Sequence, residues 1–341
     1  MATAQAEMII RTGGHLAHAS QLCRLSPLVA GWLGAALLCS AASAQSMKAT
    51  VIYKKVDGCD IKAEVFHDGT TKPRPAVVWI HGGALIDGHR ESIPSQVREF
   101  AASNGYVLVS LDYRLAPESK LPAITSDIED AFRWLRTEGA TRFGIDPNRI
   151  AVTGGSAGGF LTLLTGSRVQ PAPRVLLAFW GYGEILSDWA TKPSPHPRHN
   201  QKKITDADFA KQLGGPPVSD SRDRQSNAGM IYLHGRQTGG WAKDISGFDP
   251  QREAEKIIPF LPLKNVSAKY PPTVLIHGTA DTDVPFEQSQ LMAREFEKKG
   301  VPFQFHQITN GEHGLGGGDP HQITDAYRQA FEFVKHHLEQ P

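Results

Sequence analysis

The chain has 341 residues, 40% of them hydrophobic and 21% charged, with a formal net charge of +1. That length buries a large core without disulfide or metal staples. The near-neutral balance leaves no electrostatic footprint for nucleic acid or an acidic surface, so no nucleic-acid partner is expected.

Residues 1–44 read differently from the rest. Arg11 and Arg24 precede the apolar run Leu28-Val29-Ala30-Gly31-Trp32-Leu33-Gly34-Ala35-Ala36-Leu37-Leu38, and small residues follow, ending Ala42-Ser43-Ala44-Gln45. A basic stretch, a short apolar core and an A-x-A site make a secretory signal peptide, cleaved after Ala44, which places the mature protein outside the cell or in the periplasm. The apolar run is too short to span ~30 Å of hydrocarbon comfortably. A lipid anchor at Cys39 is the competing reading, but Leu38 stands where a lipobox needs a small residue. The long stretch before Arg24 leaves open a translation start downstream of Met1. The cysteines are Cys23, Cys39 and Cys59, so cleavage leaves Cys59 alone and no intramolecular disulfide. No later segment is apolar enough to cross a membrane, and no stable membrane insertion is expected after cleavage.

Two strand-like runs follow, at 49–53 and 61–66. The second alternates apolar and polar residues, as a half-exposed antiparallel edge would. The runs at 76–80, 106–111, 150–152, 175–179 and 273–276 are nearly continuous apolar stretches rich in β-branched residues, which suits parallel strands covered on both faces. Helical spacing of three and four separates them, at 124–135, 160–165, 286–299 and 323–338. Alternating strands and helices make an α/β fold with a mostly parallel central sheet and helices on both faces. Residues 181–272 are rich in Pro, Gly, Ser and charge and too long for an ordinary connection. They read as a cap-like insertion lining a substrate pocket within one catalytic domain, 45–341.

Gly154-Gly155-Ser156-Ala157-Gly158 is G-x-S-x-G between an apolar strand and a helical run. A sharp strand-to-helix turn lifts the serine clear of the backbone, and glycines stand where a Cβ would collide. Attack by Ser156 on an ester carbonyl makes an oxyanion, which needs fixed N–H donors. Ala157 supplies one, and Gly82 and Gly83 of His81-Gly82-Gly83-Ala84, directly after the 76–80 strand, supply the others. The acid and the base should follow in that order. Asp281 and Asp283 compete as the acid after the 273–276 strand. Asp283, just before Val284-Pro285, reads as a helix N-cap, which leaves Asp281. His313, in the Gly-flanked loop after the strand-like 303–308 run, reads as the base. His306, His321, His336 and His337 read as surface residues of a strand or of the last helix.

These motifs resemble the hormone-sensitive-lipase-like and acetyl-esterase branch of the α/β-hydrolase superfamily. His81-Gly82-Gly83, Asp112-Tyr113-Arg114-Leu115-Ala116-Pro117-Glu118, Gly155-Ser156-Ala157-Gly158-Gly159, Asp281 and His313 match its pattern in order, over roughly 60–338. The resemblance implies an α/β-hydrolase fold, with the 112–118 stretch buttressing the oxyanion loop. The chain departs from the branch at Ala84, where a third glycine is usual, and at Gly155, where an acid is common. It is similar, more weakly, to secreted bacterial esterases that take acetyl or feruloyl groups from plant polysaccharide. The 277–289 stretch also looks like prolyl-oligopeptidase catalytic domains, which carry Tyr where this chain has Ala157.

The expected activity is therefore hydrolysis of short-chain carboxylic esters, small or polysaccharide-linked, with Ser156, His313 and Asp281 as triad and no cofactor or metal. The alternatives are a prolyl-oligopeptidase-like peptidase or amidase, and an inactive binding protein on the same fold. Residues 181–272 contain Trp189, Tyr232 and Trp241 but no amphipathic lid with a wide apolar face, which argues for short acyl groups.

Overall fold

The computed structural model describes residues 47–340. The leader reading of residues 1–44, with Cys23 and Cys39, lies outside them. Eight strands form one sheet: β1 (Met47–Val56), β2 (Cys59–His67), β3 (Arg74–Ile80), β4 (Val107–Leu111), β5 (Ile145–Gly155), β6 (Val175–Phe179), β7 (Thr273–Gly278) and β8 (Phe303–Ile308). Their order is β1-β2-β4-β3-β5-β6-β7-β8. β2 runs antiparallel to both neighbours, and every pair from β4 to β8 is parallel.

The continuous apolar runs become inner parallel strands because both faces are covered. In β3, Val78 and Ile80 face one layer while Val77 and Trp79 face the other, as the two-residue period of a strand requires. The first layer receives Ile124, Ile128 and Phe132 of helix Leu121–Trp134 and Phe160, Leu161 and Leu164 of helix Ala157–Arg168. The second receives Val97 and Phe100 of helix Ser95–Ser103 and Ala326, Ala330 and Val334 of helix Pro320–Glu339. Each such fully buried Ile, Val or Phe contributes roughly 1.5–3 kcal/mol relative to exposure.

β2 departs from the sequence reading. It is antiparallel as its alternation implied, yet it is an inner strand, and β1 forms the edge. Its outward Glu64 is buried because Arg90 bonds it at 3.1 Å and Lys48 pairs with it at 2.9 Å.

Between β6 and β7 the chain makes only short helices. Ala228–Thr238 and Trp241–Ser246 are joined through Gly239 at φ +77° and stopped by Gly247 at φ +81°. Elsewhere prolines and glycines interrupt any longer run. This segment docks over the carboxyl ends of the strands: Leu115 N–H donates to Val218 O at 2.9 Å and Ser221 N–H to Gly88 O at 3.1 Å. Among the described residues no helix is long and apolar enough to cross a membrane.

Candidate active site

β5 ends at Gly155 and the next helix begins at Ala157, so Ser156 alone makes the turn, at φ 56° and ψ −121°. That backbone is strained for a residue with a Cβ. It is held by Ser156 N–H donating to Phe179 O at 2.9 Å. Gly158 is required by close approach: a Cβ there would sit 2.0 Å from Ile80 O. At Gly155 a Cβ would meet the Trp180 ring at 3.3 Å, so this chain fills with tryptophan the space into which a side chain at 155 would point.

The structure brings Ser156, His313 and Asp281 together from three strand ends. His313 Nε2 lies 3.0 Å from Ser156 Oγ, and His313 Nδ1 lies 2.8 Å from Asp281 Oδ2. A proton on Nδ1 donates to the carboxylate and leaves Nε2 to accept from the serine hydroxyl. Burial pushes the Asp281 carboxyl up, but hydrogen bonds from His277 and His313 outweigh it and hold it at about 2. His277, to which the sequence reading gave no role, is buried at the end of β7. Its Nε2 is 3.1 Å from Asp281 Oδ2, and its Nδ1 is 2.7 Å from Ser289 Oγ. Glu312 ties the His313 loop to the Asp281 loop, accepting from Thr282 Oγ1 and from Arg198 Nη1, the latter at 2.9 Å.

Gly82 lies against the serine: a Cβ on it would be 3.3 Å from Ser156 Cβ. Gly83 turns the chain at φ +107°, its carbonyl accepting from Ile86 and Asp87 N–H, each at 2.8 Å. The N–H groups of Gly82 and Gly83 have no acceptor among the described residues, and Ala157 N–H is free as the first of its helix. The 112–118 stretch supports this loop. Tyr113 Oη donates to His81 O at 2.9 Å and its ring stacks on His81 at 4.4 Å. Ala116 N–H donates to Leu85 O at 2.7 Å, and Glu118 holds Arg224, which donates to Ile86 O at 2.6 Å. Ala84, at φ 56°, takes the place of a third glycine, and its carbonyl accepts from Trp241 Nε1 at 3.2 Å.

Asp283 is not a helix cap. The helix starts at Glu287 with Phe286 before it, and no side chain caps it. It is Asp281 Oδ1 that accepts the backbone N–H groups of Asp283 and Val284, at 2.9 and 3.0 Å. Those two bonds turn the chain so that the Asp283 side chain enters the cavity. There it accepts from His199 Nε2 at 2.8 Å and from Tyr232 Oη. The other histidines stay apart from this cluster: His321 and His336 are exposed, and His306 and His337 are half-buried.

Ser156 and His313 open into a cavity of about 270 Å³, walled by Tyr182, Trp189, Tyr232 and Trp241. All four walls come from residues 181–272. Among the described residues, no group of three or more His, Cys, Asp or Glu is placed to hold a metal ion.

A family model described as alpha/beta hydrolase fold matches residues 77–316, and the chain belongs to that family: it is an α/β-hydrolase. Curated relatives include the non-reducing polyketide synthase atr1 of Stereocaulon alpinum, 26% identical over 300 residues that cover 77% of this chain and 12% of the synthase. The non-reducing polyketide synthase Preu6 of Preussia isomera is 27% identical over 305 residues, covering 77% of this chain and 13% of the synthase. The chain thus spans about an eighth of the length of these relatives. Among solved structures, a protein with unknown function from Staphylococcus aureus shares the fold with TM-score 0.67 and 23% identity, over 86% of this chain and 99% of that one. Esterase 2 of Thermogutta terrifontis, solved with propionate bound, shares it with TM-score 0.60 and 24% identity, over 85% of this chain and 94% of that one.

Proposed function

We propose that the protein is a carboxylic-ester hydrolase acting on short acyl groups, of acetyl or feruloyl type, in small or polysaccharide-linked esters. Ser156 is the nucleophile, His313 the general base and Asp281 the acid that orients it. His313 Nε2 takes the proton from Ser156 Oγ as Oγ bonds to the carbonyl carbon. The oxyanion is held by the N–H groups of Gly82, Gly83 and Ala157. His313 then gives that proton to the alcohol oxygen as the C–O bond breaks. A water, deprotonated by the same nitrogen, hydrolyses the acyl-enzyme.

The observation that carries this reading is the run of contacts from Ser156 Oγ through His313 to Asp281, at 3.0 and 2.8 Å, in the floor of the aromatic-walled cavity. The propionate- and butyrate-bound forms of the Thermogutta esterase support a small acyl group. Export through the leader at residues 1–44 belongs to the same proposal. N-terminal sequencing of protein recovered outside the cytoplasm is expected to begin at Gln45.

Fluorophosphonate labelling, with a panel of p-nitrophenyl esters, acetylated xylan, feruloyl esters and aminoacyl amides, tests the reaction class. The wild type is expected to label and to hydrolyse p-nitrophenyl acetate. Ser156→Ala, folded by circular dichroism, is expected to do neither. Turnover retained in the folded variant would put the nucleophile elsewhere, and a preference for the amides would make the protein an amidase.

A further inference from the structure

Asp283 stands in the wall of the cavity that holds Ser156 and His313, and its two carboxylate oxygens are treated differently. Oδ1 is anchored by His199 Nε2 and Tyr232 Oη. His199 is buried, and its Nδ1 lies 2.7 Å from Ser194 Oγ, so a neutral ring donating from Nε2 satisfies both contacts. Oδ2 accepts no hydrogen bond among the described residues. It lies 3.7 Å from His313 Nε2 and 3.9 Å from the Arg198 guanidinium. Burial pushes the Asp283 carboxyl up, but the His199 hydrogen bond, the charge of His313, the Tyr232 hydrogen bond and the charge of Arg198 hold it well below the usual range. An ionised acceptor with a free oxygen therefore faces the reacting centre.

Its place says which part of a substrate it meets. In the reaction proposed above, His313 Nε2 must deliver its proton to the alcohol oxygen, which puts that oxygen about 2.6–3.2 Å from the ring nitrogen. Oδ2, 3.7 Å from the same nitrogen, is close enough for a donor on the carbon next to the ester-bearing carbon of the alcohol to reach it. The surroundings say which donor. Arg236 already stands over Trp189, Tyr232 and Trp241, at 5.4, 6.0 and 5.9 Å from the ring centres, and donates to Asp283 O at 3.3 Å. The rings that would hold a substrate cation carry one, and with Arg198 nearby the Asp283 charge is already offset. A neutral hydroxyl fits; an ammonium would meet two guanidinium groups.

We propose that Asp283 is a specificity-determining residue whose free Oδ2 accepts a hydrogen bond from a hydroxyl vicinal to the scissile ester, so that the preferred substrates are short-chain esters of polyhydroxy compounds, sugars among them. This rests on the ester-hydrolase reading above. A hydrogen bond to a charged group corresponds to a preference of about tenfold to a hundredfold.

The test compares kcat/KM for ethyl acetate, 2-hydroxyethyl acetate, glycerol monoacetate and acetylcholine in the wild type, Asp283→Ala and Asp283→Asn. The wild type is expected to favour the two hydroxyl-bearing esters over ethyl acetate by tenfold or more. That ratio should fall toward one in Asp283→Ala and part of the way in Asp283→Asn, which keeps a carbonyl acceptor. The ratio is internal to each protein, so a partly folded variant still reports it. No hydroxyl preference in the wild type, or a preference that survives in Asp283→Ala, overturns the proposal. So does acetylcholine as the best substrate, or loss of all measurable turnover in both variants, which would place Asp283 in the chemistry itself. Failure of the ester-hydrolase reading is separate: the wild type would then hydrolyse none of the four and resist fluorophosphonate.

Discussion

Asp281 takes hydrogen bonds from four donors, two backbone N–H groups on Oδ1 and the rings of His277 and His313 on Oδ2. Its carboxyl is held at about 2, below the ordinary value of 3.8, so its ionised form is favoured by folding. The contribution is then present above about pH 4 and lost as the pH falls toward 2, and the shift corresponds to about 2 kcal/mol. Asp281→Asn lacks the ionisation. The stability difference between the two proteins, from urea denaturation, is expected to shrink by about that amount between pH 6 and pH 2. A constant difference would assign the bonds no preference for the charged form. In the proposed mechanism the same substitution offers His313 an amide where it needs a carboxylate, and kcat is expected to fall by up to ~10⁴.

Arg90 joins three separate pieces of chain. Its Nε donates to Glu64 of β2 at 3.1 Å, and its Nη1 to Asp112, after β4, at 2.8 Å and to Asp220 of the insertion at 3.2 Å. Glu64 and Asp112 have side chains 1% and 0% exposed, so removing the guanidinium leaves Asp112 without its cation where water cannot reach it and leaves Glu64 with Lys48 as its remaining one. Arg90→Ala is expected to cost about 3–5 kcal/mol. Arg328→Ala is the contrast. That guanidinium pairs with Asp325 and Glu332 on the exposed face of the last helix, and its loss is expected to leave the urea midpoint nearly unchanged. Urea midpoints with unchanged slopes measure both. Equal costs would mean that burial of the Arg90 partners carries no weight. Such a junction is invisible to hydrophobic periodicity, which is why β2 read as an edge: its polar positions looked solvated when one of them was neutralised inside the fold.

At the scale of the molecule, the aromatic side chains of residues 181–272 wall the cavity over Ser156, which in the proposed function limits the substrate. The cavity over Ser156, about 270 Å³, falls below the ~300–1,000 Å³ of most ligand pockets. A second cavity, about 480 Å³, lies beyond Trp189 and Asp283, which line both. Across p-nitrophenyl acetate, butyrate, octanoate and palmitate, kcat/KM is expected to peak at acetate or butyrate. Trp189→Ala removes the shared wall and is expected to move the optimum toward octanoate. A wild-type maximum at octanoate or longer would contradict the size argument, and an unmoved optimum in the variant would mean that the two spaces do not join.

The parallel strands, the serine turn and the chain order of Ser156, Asp281 and His313, which the structure brings into contact, were legible in the residues because each is written locally. A strand covered on both faces must be apolar throughout. A turn whose glycine would place a Cβ 2.0 Å from Ile80 O admits none. The contacts of Asp283 with His199, Tyr232 and Arg236 were not legible. An aspartate after a strand and before a proline has the same local chemistry whether it caps a helix or faces a cavity, and here two backbone bonds to Asp281 decide the matter. His199, Tyr232 and Arg236 sit in a segment whose short helices carry no period, and only docking over the strand ends brings them to Asp283. What local stereochemistry constrains, the sequence determined by itself. What depends on which distant surfaces share one desolvated space was decided by the tertiary structure, because burial and charge compensation are properties of the assembled neighbourhood.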